Sequence, residues 1–215
     1  MAVDDLVEIL GHMPLGFHKF EEGEVVVRAF SPCTQLLFIT DGAVSVTTEP
    51  ASRHYSIEEN FEAPYLPEPE RVFGLHQHFT RTVTASSSCN CISISKENAM
   101  QLLSRFSIFR INLLNILSTQ SQRLQQRIYM PQGQTLSQRL ANFLAGRCIR
   151  ASGTKVFHTK MRLLSMELSA DRRVISAVLH NWADAGLITM SRGCIKVEAM
   201  ERLIQEAEPE LLPTQ

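Results

Sequence analysis

The sequence predicts an α+β chain with three parts: an N-terminal antiparallel β-roll of jelly-roll type, a long dimerisation helix, and a C-terminal winged helix-turn-helix. Three observations predict it. From Phe20 to Ser95 apolar residues recur at a period of two, in short runs bounded by Gly, Pro and Ser. From Lys96 the period lengthens to three or four. Near the C-terminus two helical segments are joined by a three-residue turn and followed by two short strand-like runs.

The elements follow in order. Leu6, Ile9 and Leu10 in residues 1–19 suggest a short helix, broken at Met13-Pro14-Leu15-Gly16. Strand-like runs then carry Val25, Val27 and Phe30; Leu36, Phe38 and Ile39; Val44 and Val46; and Val83, Ile92 and Ile94. Asp41-Gly42 reads as a hairpin turn, because glycine accepts the positive φ that a tight turn requires. Glu62 to Glu70 holds three prolines and reads as an irregular loop. Several short strands in succession suggest an antiparallel roll. The expected divisions are 1–106 for the roll, 107–130 for the long helix, 131–204 for the winged helix-turn-helix and 205–215 for an acidic tail.

Glu97 to Phe106 is a short helix, and Ser107 opens a long one to about Met130, stopped by Pro131 and Gly133. Ile111, Leu114, Leu117, Ser121, Leu124 and Ile128 fall three or four apart along it. Such a narrow stripe suits a homodimer seam of coiled-coil type; packing on its own domain is the alternative. Gln120, Gln122, Arg123, Gln125, Gln126 and Arg127 crowd the rest of the helix. The segment Met130–Gln134 is the expected hinge.

Thr135 to Ile149 forms the next helix, with Leu136, Leu140, Phe143 and Leu144 on one face. Val156 and Phe157 suggest a short strand, and Leu163 to Leu168 a short helix. After the turn Ser169-Ala170-Asp171, a helix runs from Arg172 to about Ala185. Asp171 caps its start and Gly186 its end. Leu187-Ile188-Thr189 and Ile195-Lys196-Val197 flank the turn Ser191-Arg192-Gly193 as a wing. Ile175, Val178, Leu179 and Trp182 share the core face; Arg172, Arg173, Ser176, Ala177 and His180 share the opposite one. Exposed residues at the start of such a second helix touch base edges. The arginine fork donates to guanine O6 and N7 at once, and Ala177 suits a thymine methyl. Lys160, Arg192 and Lys196 are candidates for phosphate contacts.

Composition agrees with a globular chain, 44% apolar and 20% charged. Charge is uneven: −7 over residues 1–105, +3 over 106–130, +6 over 131–204 and −3 over 205–215. An acidic front joined to a basic back suggests that the back meets a polyanion such as nucleic acid, a chance imbalance of solvated surface being the alternative. The recognition-helix pattern above is what points to double-stranded DNA. No apolar run reaches membrane-span length and no signal segment is evident, so a cytoplasmic protein without a membrane partner is expected. Five scattered cysteines suit reduced thiols better than disulfides.

Phe20-Glu21-Glu22-Gly23-Glu24 with Leu37-Phe38-Ile39-Thr40-Asp41-Gly42-Ala43-Val44 resembles the opening of the cyclic-nucleotide-binding-type roll of the CRP/FNR superfamily. Gln138 to Leu144 resembles that family's first DNA-domain helix, and Leu164 to Ile175 closing with Gly186-Leu187-Ile188 its helix-turn-helix. The resemblance implies a bacterial transcription regulator that binds a palindromic operator as a homodimer, with RNA polymerase as a further partner. It places Arg172 and Arg173 at base-reading positions, and Ala177 where many members have another polar reader. It also implies an effector site at Gly74, Leu75, Arg81 and Thr82. Members that bind cyclic AMP carry glutamate after that glycine and alanine after Arg-Ser or Arg-Thr. Here Leu75 follows Gly74 and Val83 follows Thr82. No Thr-Ser pair stands at Leu124-Gln125 or Arg127-Ile128 to hold the base. Cyclic AMP is therefore disfavoured, an iron–sulfur cluster lacks its N-terminal cysteines, and the cofactor stays unassigned.

One enzyme reading competes. His76 and His78 alternate on one strand face and suit a cupin-like metal, but Arg81, Thr82 and Val83 stand where a carboxylate is needed. A catalytic metal needs a full ligand set, so no enzyme and no metal site is expected. Pairing along residues 107–130 would set two recognition helices about 34 Å apart, one DNA turn.

Overall fold

The computed structural model describes residues 13–50, 55–126 and 135–207. It confirms the α+β class and forms two compact units: 1–46 with 61–129, and 47–60 with 130–215. The expected hinge 130–134, Ile128, and the tail beyond residue 207 lie outside the described residues.

The first unit holds β1 (Gly16–Phe20), β2 (Val25–Val27), β3 (Gln35–Asp41), β4 (Ala43–Thr48), β6 (Arg81–Ala85) and β7 (Cys89–Ser95). They run in the orders β1-β7-β3 and β2-β6-β4. Alternation puts Val44 and Val46 of β4 inside, and Leu36, Ile39, Val83 and Cys91 are likewise nearly or fully buried, β3 carrying buried residues on both faces. Two expectations are corrected. The short helix expected around Leu6, Ile9 and Leu10 lies outside the described residues, and residues 16–20, expected to follow it as turn and connection, form a strand, because β7 offers β1 an antiparallel ladder from Gly16↔Ser93 to Phe20↔Cys89. Gly42 does take φ +86, and a Cβ there would sit 2.4 Å from the Ser88 carbonyl. Yet Asp41-Gly42 closes no hairpin: β3 pairs with β7, so the turn carries the chain from one strand set to the other.

The proline-rich stretch is irregular only to Glu68; α1 (Pro69–Phe73) begins inside it, with proline at its start. Next come α2 (Lys96–Arg105), capped by Ser95 Oγ accepting from Asn98 N at 3.2 Å, and α3 (Ser107–Gln126).

The second unit holds most of β5 (Tyr55–Glu62), then α4 (Leu136–Ala145), β8 (Lys155–Thr159), α5 (Met161–Leu168), α6 (Arg172–Asp184), β9 (Ile188–Ser191), β10 (Cys194–Val197) and α7 (Met200–Ala207). Its strands run β5-β8-β10-β9. Residues 47–60, expected in the roll, group here because β5 pairs antiparallel with β8, Tyr55↔Thr159 to Glu59↔Lys155. The strand was missed because one inward position is charged. Ile57, Glu59 and Phe61 all point inward, so the apolar alternation is interrupted. Glu59 survives burial by pairing with Lys155 Nζ at 2.9 Å and accepting from Ile149 N at 2.7 Å. That last bond also explains why α4 stops at Ala145 rather than Ile149: the amides of Ile149 and Arg150 donate to Glu59 instead of continuing a helix. One apolar core gathers Ile57, Leu140, Leu144, Leu164, Ile175, Ile188, Val197 and Leu203. The last helix, α7, extends to Ala207, into the segment expected to be tail.

Candidate nucleic-acid interface

The turn between α5 and α6 is built from its own residues. Ser169 ends α5 in the left-handed conformation (φ 47, ψ 47), unusual for a residue with a Cβ. Ser165 Oγ donates to the Ala170 carbonyl at 2.7 Å, and Ala170 N donates to the Ser165 carbonyl at 3.2 Å. Asp171 then accepts from Arg173 N at 2.7 Å, capping α6 as expected. Gly186 (φ +70) follows the helix in the left-handed region.

Helical periodicity divides α6. Ile175, Leu179 and Trp182 are buried and Val178 is partly so. Arg172, Arg173, Ala177 and His180 are exposed, and Ser176 is half-buried. Among the described residues no ion-pair partner meets Arg172 or Arg173. His180 Nδ1 lies 2.7 Å from the Ser176 carbonyl oxygen. Exposed Lys160 precedes α5, and exposed Arg192 sits in the wing turn. Lys196 is less free, since its Nζ pairs with Glu198 at 2.8 Å.

Sequence patterns did not mark several residues that hold this surface. Thr135 and Gln138 form a reciprocal capping box at α4, legible in the pattern Thr-x-x-Gln. Arg139 Nη2 donates to the Leu168 carbonyl, tying α4 to the end of α5. Arg147 lies 3.4 Å over the Phe143 ring and pairs with Glu167 at 3.1 Å. Exposed Arg162 on α5 is a further cation of the kind that meets phosphate. Met166 and Val174 are exposed apolar residues on the same two helices. No local signal marked Arg139 or Arg147, whose partners lie across the fold.

In the first unit, α3 buries Leu113 yet leaves Ile111, Leu114 and Leu124 more than half exposed. Leu117 is half-buried and Ser121 exposed. Among the described residues, Ile111, Leu114 and Leu124 of the stripe are thus left uncovered.

The four effector positions have the following local surroundings. Leu75 is fully exposed. Gly74 N donates to the Glu70 carbonyl at 3.0 Å, and Thr82 Oγ1 accepts from Ala29 N at 3.2 Å. Arg81 Nη1 donates to buried Glu68 at 2.5 Å, and the same carboxylate accepts from Thr80 N at 2.6 Å. Glu68 therefore already neutralises the cation expected to meet an anion. Nearby, burial raises the Glu70 carboxyl above its ordinary range, and burial with Glu68 and Glu70 pushes the Cys33 thiol up to about 12. His76 and His78 are both exposed, and no group of three or more His, Cys, Asp or Glu among the described residues is placed to hold a metal. No described helix is long and apolar enough to cross a membrane.

No protein-family model and no curated protein matches the sequence. Solved structures do. A candidate transcriptional regulator of the CRP/FNR family from Eubacterium rectale is 16% identical, with a TM-score of 0.50, over 92% of this chain and 93% of that one. A transcriptional regulator from Thermotoga maritima is 17% identical, also at 0.50, over 60% of this chain and 95% of that one. At such identities the likeness concerns the fold alone: this chain, with its β-roll, long helix and winged helix-turn-helix, is similar in fold to these two regulators.

Proposed function

We propose that this chain is a transcription regulator that binds a palindromic DNA operator as a homodimer. The observation that carries the reading is the division of α6. Its core face is sealed by Ile175, Leu179 and Trp182, while Arg172 and Arg173 stand exposed at its start with no ion-pair partner among the described residues. A helix presented in this way after a tight turn enters the major groove with its N-terminal residues on base edges. The exposed Ile111, Leu114 and Leu124 stripe supports pairing of two chains along α3. Lys160, Arg162 and Arg192 supply phosphate contacts that set position. The named function of the two structural relatives, transcriptional regulation, agrees with this reading. Contact with RNA polymerase is part of the proposal, tested by transcription from the selected operator.

The role is binding, without a catalytic step. Effector control through the roll would work by favouring the DNA-fitting state, and an anionic effector at Arg81 would share that guanidinium with Glu68. Selection of bound duplexes from a randomised DNA library tests the proposal; enrichment of a palindrome is the expected outcome. The variant Arg172→Ala is expected to lose about 1–3 kcal/mol on that operator and to relax one base pair per half-site. An unchanged affinity and preference refutes the assignment of the reading face.

A further inference from the structure

We propose that His180 reads an amino-bearing base, adenine or cytosine, through an Nε2 whose acceptor character is set by the α6 backbone. This rests on the DNA reading of α6. His180 is exposed one turn beyond Ser176, on the same face as Arg173 and Ala177. Its Nδ1 lies 2.7 Å from the Ser176 carbonyl oxygen and 3.3 Å from Ser176 Oγ. A carbonyl oxygen only accepts, and its second lone pair is open beside the helical N–H bond it already receives. Nδ1 must therefore carry a proton. A neutral imidazole has one N–H, so Nε2 is left as a bare acceptor. Among the described residues Nε2 has no hydrogen-bond partner.

The major groove then sorts the bases. Adenine offers its N6 amino group and cytosine its N4 amino group as donors; guanine offers N7 and O6 and thymine O4, all acceptors. A bare Nε2 meets a donor on adenine or cytosine and an opposing lone pair on guanine or thymine. Arg172 and Arg173 have only donors. The face of α6 thus presents donors at its start and an acceptor two turns on. The Ser176 hydroxyl, which cannot donate to an already protonated Nδ1, keeps its own proton for another acceptor.

Two measurements test this on the full-length chain at pH 8. A long-range proton–nitrogen-15 spectrum of the free protein is expected to show His180 protonated at Nδ1; protonation at Nε2 overturns the inference without any DNA present. Duplex selection with wild type, His180→Ala and His180→Lys reads the base. Wild type is expected to prefer adenine or cytosine at one half-site position by roughly three- to tenfold, the fold-change of one neutral hydrogen bond. His180→Ala erases that preference alone, and His180→Lys moves it to guanine or thymine. If wild type selects an operator and His180→Ala leaves every position unchanged, or weakens all sequences equally, this inference fails and the regulator reading stands. If wild type selects no DNA, both fail.

Discussion

Replacing Lys155 with Met is expected to unfold the C-terminal unit more readily than any surface change. Lys155 is 2% exposed and Glu59 is 1% exposed, so both charges of the pair are out of water. Lys155 Nζ stands 2.9 Å from Glu59 Oε1, and Ile149 N donates to Oε2 at 2.7 Å. Methionine keeps most of the lysine stem, so packing changes little. The carboxylate loses its counter-charge and keeps its amide donors, which do not offset a buried unpaired charge. Breaking such a pair from one side costs about 3–5 kcal/mol. At roughly 2–4 °C per kcal/mol for a chain of this size, the melting transition of the chain falls by about 6–20 °C. The double variant Glu59→Met with Lys155→Met removes both charges and is expected to return close to wild type, since an apolar pair of similar volume is often neutral or better. Calorimetry of wild type, both single variants and the double variant closes the cycle. A loss below about 1 kcal/mol for Lys155→Met, the range of an exposed pair, refutes the burial argument. So does a double variant less stable than either single one.

Other outcomes follow from the same geometry. Leu114→Glu, at a position 55% exposed within its own chain, is expected to leave folding within about 0.5 kcal/mol but to yield monomers in sedimentation, with operator binding lost; a stable dimer refutes the α3 seam. Asp171→Ala removes the acceptor for Arg173 N and is expected to cost about 1 kcal/mol in chemical denaturation, while Asp171→Asn keeps most of it. Burial raises the Glu70 carboxyl, so the fold favours its protonated form; that contribution is complete below the ordinary carboxyl value of about 4.3 and is lost as pH rises through the raised one. Glu70→Gln imitates the protonated form and is expected to stabilise the chain at pH 7 but not at pH 4, which a pH series of melting curves reads.

Much of this fold is legible because its core positions obey simple periods. In α6 the spacing Ile175, Leu179, Trp182 is enough by itself to mark the buried face, and Asp171 and Gly186 mark its ends. Strand β4 shows through the alternation of Val44 and Val46 for the same reason. What the periods cannot show is pairing at a distance. A charged residue at an inward position hides β5, and its explanation, Lys155, lies 96 positions away in the chain. Asp41-Gly42 is a correct turn with a misread destination, since a positive φ says nothing about which strand pairs with which. Likewise Arg81 is visible as a candidate anion ligand, but the carboxylate that claims it sits in the proline-rich stretch and has no motif.

The placement of charge on the helices separates structural cations from those aimed outward. Glu70 lies in the first turn of α1 with Arg71 in its last, Glu97 opens α2 with Arg105 closing it, and Glu201 opens α7. Each agrees with the helix dipole, which favours anions at the start and cations at the end. The three helices of the helix-turn-helix region, α4, α5 and α6, carry no acidic residue in the first turn. At α6 the arrangement is reversed outright. Two guanidiniums open the helix against one carboxylate, Asp171, whose oxygen is already occupied by Arg173 N. A chain that places charge with the dipole on α1, α2 and α7 and against it on α6 accepts a small local cost there. Under the proposed DNA-binding role that cost is offset, because phosphates brought to the start of α6 supply the negative charge it lacks.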